Sequence, residues 1–201
     1  LISNKNISKF IASFITLSTT TLIFVLSILL FKLNDLSSSE LQFVEKNEWI
    51  EGLNIYYYLA VDGISISFII LTAFINFLIA IFASSEDYHN KPAYLGYFLI
   101  LEGLLMGTFS AFDSILFYIF FESLLIPLFL IIGIWGGTNR KYATIKFFLY
   151  TLFGSVLMLI SILYLAKLAG SFEIRDFYSL NLTFKEEVLI LFAFLVGFGI
   201  K

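Results

Sequence analysis

The sequence predicts an all-α protein, built as a polytopic bundle of transmembrane helices. Of its 201 residues 60% are hydrophobic, 13% are charged, and the mean hydropathy is +0.96; an ordinary soluble domain has roughly 25% charged residues. Several apolar runs also approach or exceed the roughly 20 residues with which a helix crosses ~30 Å of hydrocarbon, whereas barrel strands would be ~10 residues long and alternating. We therefore expect an integral membrane protein that forms one transmembrane domain over residues 1–201.

Five runs have the length and the low charge of full transmembrane spans. They are residues 10–31, 63–83, 93–112, 115–135 and 147–166, with Ile55–Val61 leading into the second. The first run is followed by Lys32 without a small-residue cleavage site, so we expect it to stay in the membrane rather than to act as a signal peptide.

A sixth run, residues 188–200, is too short to span, since its 13 residues rise only ~20 Å. It leads to Lys201, where a terminal carboxylate at membrane depth would be costly. The first residue is Leu rather than Met. These features predict a chain that is incomplete at both ends, either a fragment or a split subunit.

Composition excludes several kinds of redox and metal chemistry. The chain has no cysteine, which excludes disulfides, thiolate metal sites and iron–sulfur ligation. Its one histidine, His89, does not provide the set of ligands that a haem or zinc site requires. We therefore expect no cofactor and no metal in this chain, with lipid rather than nucleic acid as its surroundings.

Four charged residues lie within or against the apolar runs, namely Asp62, Glu102, Glu122 and Lys201. Ionised groups in a membrane are costly and usually serve ion or proton pathways; a buried hydrogen bond made by a protonated carboxyl is the alternative. Glu102 and Glu122 flank the short Asp113–Ser114 connection at depths of roughly 17 and 13 Å. If they face each other, both cannot ionise easily, and they form a protonatable pair; helix rotation leaves this open.

The other polar features of the spans each admit two interpretations. Pro127 should bend its helix just after Glu122, because it removes the hydrogen bond to the carbonyl of Ser123, although proline is common in transmembrane helices. Lys201 is either a proton-exchanging buried lysine or an interfacial anchor. Lys146 either snorkels to the surface or points inward as a relay member. Asp62 fits a helix N-cap.

Four strings resemble a known family: LAVDGIS (59–65), LFYIFFESLLIPLFLIIGIWG (116–136), KFFLYTLFGSVLMLI (146–160) and FLVGFGIK (194–201). They are similar to chain 4, the bacterial M subunit, of proton-pumping NADH:ubiquinone oxidoreductase (respiratory complex I). The resemblance implies the N-terminal portion of an antiporter-like proton pump. On this resemblance, Glu122 matches the key glutamate of the family, Lys201 the lysine of a discontinuous helix, and Lys146 a further family lysine. The resemblance implies no role for Glu102; from the sequence pattern alone, Glu102 and Pro127 are possible accessory residues.

The resemblance implies a subunit that couples NADH:ubiquinone electron transfer to proton pumping without redox catalysis of its own. NADH, FMN, iron–sulfur clusters and ubiquinone would be bound by other subunits. Its expected partners are other membrane-arm subunits, including neighbouring antiporter-like ones, and a separate C-terminal half. The expected location is the mitochondrial inner membrane or, alternatively, a bacterial plasma membrane. A subunit of a multisubunit cation/proton antiporter without redox activity, or a non-transporting anchor, remains open.

Overall fold

The computed structural model describes residues 2–35, 38 and 40–201, which are mostly helical. Leu1, on which the expected incompleteness of the N-terminus partly rests, lies outside the described residues. The described elements are, in order, α1 Ile2–Leu33, β1 Gln42–Ile50, β2 Ile55–Val61, α2 Gly63–Ser85, α3 Lys91–Ser110, α4 Ser114–Ser123, α5 Leu125–Trp135, α6 Arg140–Ala169, α7 Ile174–Phe177 and α8 Phe184–Ile200.

Five segments of this described part are long and apolar enough to cross a membrane, which confirms the predicted number of spans. They are Ile7–Leu33, Gly63–Ser85, Lys91–Ser110, Ser114–Trp135 and Arg140–Ala169. The helices extend beyond the apolar runs, because polar residues with good helix propensity continue a helix that the membrane-buried part has started. α6, for example, begins at Arg140, about two turns before the predicted start of the fifth span at Phe147.

The helix that leads to Lys201 is also longer than predicted. It begins at Phe184 rather than Val188 and has 17 residues, which rise ~25 Å. Thr183 and Glu186 form a capping box at its start, in which each side chain bonds the backbone N–H of the other residue. This cap satisfies the first N–H groups of the helix and so moves its start ahead of the apolar run.

A two-stranded hairpin precedes the second span. β1 and β2 pair with each other, and the IYYYLAV sequence of β2 is rich in the aromatic and β-branched residues that favour strands. Gly52 and Asn54, with φ of 82° and 54°, form the turn between them. Ile55–Val61, which was predicted to lead into the second span, is thus a strand that ends two residues before α2 begins at Gly63.

The chain divides into two compact units, and the predicted single domain over residues 1–201 stays a prediction. Unit 1 comprises the described parts of residues 1–43 and 61–110, in which α1, α2 and α3 pack against one another. The rings of Phe24 and Phe77 stack across the contact between α1 and α2, with centroids 5.7 Å apart. Asp62 caps α2 by accepting hydrogen bonds from the N–H groups of Ile64 and Ser65, which confirms the predicted N-cap.

Unit 2 comprises residues 44–60 and 111–201. Its centre is α6, which packs mainly against α8 and α5 and also contacts α4 and α7. The unit contains the helix pair α4–α5 with Glu122 and Pro127, and the end of α8 with Lys201. The elements that hold these two charged residues thus share α6 as a common neighbour.

Candidate functional site

The start of α4 is anchored by Asp113, which is 1% exposed. Its carboxylate accepts hydrogen bonds from the N–H groups of Ile115 and Leu116 in α4, at 2.9 and 3.1 Å, and from that of Tyr56 in β2, at 3.0 Å. Burial raises the pKa of this carboxyl, although the three N–H bonds and the charge of Lys46 act in the opposite direction. One side chain therefore ties α4 to the hairpin.

A second contact closes the same end of unit 2. The backbone N–H and the hydroxyl of Ser114 both donate to the carbonyl of Phe172, at 2.8 Å. Lys46 in β1 forms an ion pair with Glu173 at 2.7 Å, and this hydrogen bond is the main cause that raises the pKa of Lys46. Sequence reasoning did not predict this cluster, because its residues lie far apart along the chain.

Glu122 lies at the end of α4, where the membrane helix is broken. Leu124 separates α4 from α5, and the hydrogen bonds that bridge this residue, Leu124 N–H to Phe120 C=O and Leu128 N–H to Leu124 C=O, are both 3.3 Å long. Pro127, which is buried, lacks the N–H that would bond the carbonyl of Ser123. The regular helix is therefore interrupted at Leu124, beside Pro127, and the predicted bend after Glu122 stays a prediction.

Lys201 is brought to the same place from α8. Its ammonium group donates a hydrogen bond to the carbonyl of Phe121 and lies 3.6 Å from the centroid of the Phe121 ring. The charge of Glu122 acts on this ammonium group. Within the described chain the two make no direct salt bridge, and Oε2 of Glu122 is buried without a hydrogen-bond partner. The arrangement is a pair of opposite charges that interact through space, with an acceptor oxygen left open.

Tyr118 connects this pair to α6. Tyr118 lies one helical turn before Glu122 and interacts electrostatically with the Glu122 carboxylate. Its hydroxyl also forms a side-chain hydrogen bond with Ser155. Ser155 is 1% exposed and donates to the carbonyl of Leu152 at 3.0 Å. Sequence reasoning missed Tyr118 and Ser155; the spacing of four residues between Tyr118 and Glu122 was the signal that could have found the first.

The helix that carries Lys201 crosses α6 at two glycines. A Cβ atom on Gly197 would lie 3.0 Å from Cβ of Met158 and 3.2 Å from the carbonyl oxygen of Gly154. A Cβ atom on Gly154 would lie 3.2 Å from the carbonyl oxygen of Val196. The two backbones therefore approach as closely as small residues permit, one helical turn before Lys201.

The start of α8 is fixed independently of this crossing. Glu186 accepts hydrogen bonds from both the N–H and the hydroxyl of Thr183, at 2.7 and 2.6 Å, and from the hydroxyl of Tyr164 in α6. These hydrogen bonds lower the pKa of Glu186 to about 2. The helix is thus attached to α6 near both ends.

Lys146 is exposed and lies apart from the contacts around Glu122. Its ammonium group is 5.8 and 5.7 Å from the ring centroids of Tyr142 and Tyr150, one turn away on either side along α6. The same side chains line an open groove that Ile200 also borders. The side chain therefore lies at the surface of α6, next to the residue that precedes Lys201.

Glu102 lies on α3 in unit 1, and both of its oxygen atoms are buried without a hydrogen-bond partner in the described structure. Its side chain is 0% exposed. Since Glu122 belongs to unit 2, the predicted pairing of the two carboxyls stays a prediction. No group of three or more metal-binding side chains occurs among the described residues.

Comparison with known proteins places these features in context. Residues 111–201 match the family described as NADH:quinone oxidoreductase/Mrp antiporter, TM. NADH-quinone oxidoreductase subunit M of Rhodobacter capsulatus is 42% identical over 203 residues, which is 94% of this chain and 39% of that protein. NADH-ubiquinone oxidoreductase chain 4 of Arabidopsis thaliana is 37% identical over 188 residues, which is 93% of this chain and 38% of that protein.

The fold is also similar to that of a chain in the structure of respiratory complex I from Thermus thermophilus with bound NADH. The TM-score is 0.81 at 28% sequence identity, and the match covers 96% of this chain and 42% of the other. The chain thus spans about two fifths of the length of the relatives that it matches.

Proposed function

We propose that the chain is a proton-translocating, antiporter-like membrane subunit of respiratory complex I, because residues 111–201 match the NADH:quinone oxidoreductase/Mrp antiporter family and nearly the whole chain is similar to relatives named subunit M. The observation that carries this proposal is the meeting of Glu122 and Lys201 around Phe121 in unit 2. The chain would couple electron transfer between NADH and ubiquinone, which takes place elsewhere in the complex, to the movement of protons.

The geometry suits a proton-transfer step. Glu122 has an oxygen atom without a hydrogen-bond partner, which can accept a proton directly or from a water molecule. Lys201 stabilises the ionised carboxylate, so a change in the position or charge of Lys201 alters how readily Glu122 takes up a proton. The broken helix after Glu122 adds a weakly bonded backbone region in which water can bind. Lys146 would pass protons or charge along α6, while Glu102 and Pro127 would have accessory roles.

The remaining parts of the proposal concern the assembly. We propose that the partners are other membrane-arm subunits, including neighbouring antiporter-like subunits and a C-terminal half of this one. The chain itself would carry out no redox catalysis, and NADH, FMN, iron–sulfur clusters and ubiquinone would bind to other subunits. Relatives named chain 4 occur in plants and relatives named subunit M in bacteria. We propose the mitochondrial inner membrane, with a bacterial plasma membrane as the alternative; detection of the chain in purified mitochondrial inner membranes would distinguish the two.

The experiment is the substitution Glu122→Gln in the intact complex, reconstituted in vesicles. Glutamine keeps the shape and the hydrogen bonding of the side chain but cannot titrate, so we expect normal assembly and the loss of most proton pumping. Glu187→Gln, on the exposed start of α8, is the matched control and should pump normally. Unchanged pumping in Glu122→Gln, at normal quinone reduction, would refute the role of Glu122.

A second function is favoured by the family description, which includes the Mrp antiporters. A subunit of a multisubunit cation/proton antiporter would use the same charge pair without a redox partner. Purification of the native assembly distinguishes the two, because NADH:quinone reductase activity should accompany the chain only if it belongs to complex I.

A further inference from the structure

The interior of unit 1 contains several buried polar side chains. Thr16 and Thr20 of α1 and Thr72 and Asn76 of α2 are all buried. Each pair is spaced by four residues and so lies on one face of its helix. Two of the three helices of the unit, α1 and α2, therefore each have a buried face that carries two polar side chains.

Glu102 adds a carboxyl group to this interior. It is 0% exposed, and neither oxygen atom has a hydrogen-bond partner in the described chain. No side chain of α2 is titratable, and α1 carries no charged side chain between Lys9 and Lys32, near its two ends. On α3 itself, Lys91 donates to the carbonyl of Ser84, and Tyr94 and Tyr97 lie at least one turn away.

These surroundings determine which form of Glu102 is stable. Burial of an ionised carboxylate without a partner costs far more than burial of the neutral acid. The O–H and C=O groups of the neutral acid also need hydrogen-bond partners, and no group of the described chain bonds to either oxygen atom. Water is the remaining partner, since buried polar groups that lack a protein partner usually bind ordered water.

A small cavity provides room for such water. It has a volume of about 10 Å³ and is lined by Thr16, Thr20 and Asn76, together with apolar residues that include Phe98 and Leu99. This volume is that of about one water molecule, and the three polar side chains supply its hydrogen bonds. Phe98 and Leu99 precede Glu102 by four and three residues on the same face of α3, so the cavity lies about one helical turn along α3 from Glu102.

We propose that Glu102 is a second protonatable site of this chain, a neutral carboxylic acid inside unit 1 that exchanges its proton through water held by Thr16, Thr20 and Asn76. The site belongs to the bundle of α1, α2 and α3 and is separate from Glu122 and Lys201. It exists whether or not the pair in unit 2 translocates protons.

Infrared difference spectroscopy of the intact membrane complex tests the proposal. Wild type should show a C=O band of a protonated carboxyl that is absent in Glu102→Gln, persists in Glu122→Gln, and shifts when H₂O is replaced by D₂O. If no such band is lost in Glu102→Gln, the group is ionised and the proposal is wrong. A band that does not shift in D₂O overturns the exchange through water.

The rate of that isotope shift tests the route. Thr20→Val removes a buried hydroxyl and should slow the shift about fivefold, the factor given by the loss of one hydrogen bond of ordinary net strength. Thr20→Ser, which keeps the hydroxyl, should exchange like wild type. The matched control is Thr21→Val, because Thr21 is exposed and donates to the same Leu17 carbonyl. Equal rates in Thr20→Val and Thr21→Val would overturn the route.

Discussion

The crossing of α6 and α8 makes Gly197 the position at which the smallest substitution should disturb Lys201 most. In Gly197→Ala the new Cβ would meet Cβ of Met158 at 3.0 Å and the carbonyl oxygen of Gly154 at 3.2 Å, closer than the ~3.5–4.0 Å at which carbon atoms attract. Such overpacking costs about 1–3 kcal/mol. Gly199→Ala is the matched control, since nothing lies within 4 Å of its Cβ position.

The difference between the two variants isolates the crossing. Both replace glycine by alanine in the last turn of α8, so the gain of up to ~1 kcal/mol in helix propensity largely cancels between them, while only Gly197 faces α6. The remaining 1–3 kcal/mol corresponds to a factor of about 5–150 in the equilibrium between α8 seated against α6 and α8 displaced. Because Lys201 follows Gly197 by one turn, displacement removes its ammonium group from Phe121 and Glu122.

The assay is proton pumping per quinone reduced, in vesicles that contain equal amounts of assembled complex. We expect Gly197→Ala to pump poorly and to lose activity at a lower temperature than wild type, while Gly199→Ala behaves like wild type. If the two alanine variants pump equally and are equally stable, the close crossing does not position Lys201, and the reasoning is refuted.

Three further predictions concern other contacts in unit 2. Tyr118→Phe removes the hydrogen bond with Ser155 and should slow proton pumping several-fold with normal assembly, and Ser155→Ala should have a similar effect. If the effects of the two substitutions add up in the double variant, the two side chains act independently and the proposed link is wrong. Asp113→Ala removes an acceptor shared by three N–H groups and should destabilise unit 2 by about 1–3 kcal/mol, seen as a lower melting temperature; a melting temperature like that of wild type would contradict the anchoring role. Glu186 has a pKa lowered from 4.5 to about 2, so the stability that its ionised carboxylate contributes is present above pH 4.5 and lost as the pH falls toward about 2. The melting temperatures of wild type and Glu186→Gln should therefore differ above pH 4.5 and converge as the pH falls to about 2. A difference that stays constant over this range would contradict the role of the Glu186 carboxylate.

The five spans could be predicted because membrane crossing imposes a length and an apolarity that any one stretch of sequence shows by itself. An irregularity of the helix near Leu124 could be predicted for a similar reason, since Pro127 acts on its own helix within one turn. The N-cap at Asp62 is also local, because the acceptor and both donors lie within three residues.

The hairpin and the contacts of the candidate site could not be predicted in this way. The apolar run Ile55–Val61 is compatible with a strand and with a buried helix, so the sequence pattern does not reveal that it pairs with β1. The bonds of Asp113 with Tyr56 and of Ser114 with Phe172 join residues 57 and 58 positions apart, and no local pattern marks them. Glu122 and Lys201 were found as charges in apolar runs, but their contact through Phe121 depends on how α8 rotates against α6.

That rotation is decided at two consecutive residues of α6. Gly154 contacts α8 and Ser155 contacts α4, as expected for neighbours that point about 100° apart on a helix of 3.6 residues per turn. The contact with α4 is one turn from Glu122, and the contact with α8 is one turn from Lys201. Since the interaction of two charges varies inversely with their separation, one short segment of α6 sets the strength of the charge pair without carrying either charge. A substitution at Gly154 or Ser155 therefore acts on the pair from a position that a search for titratable residues does not reach.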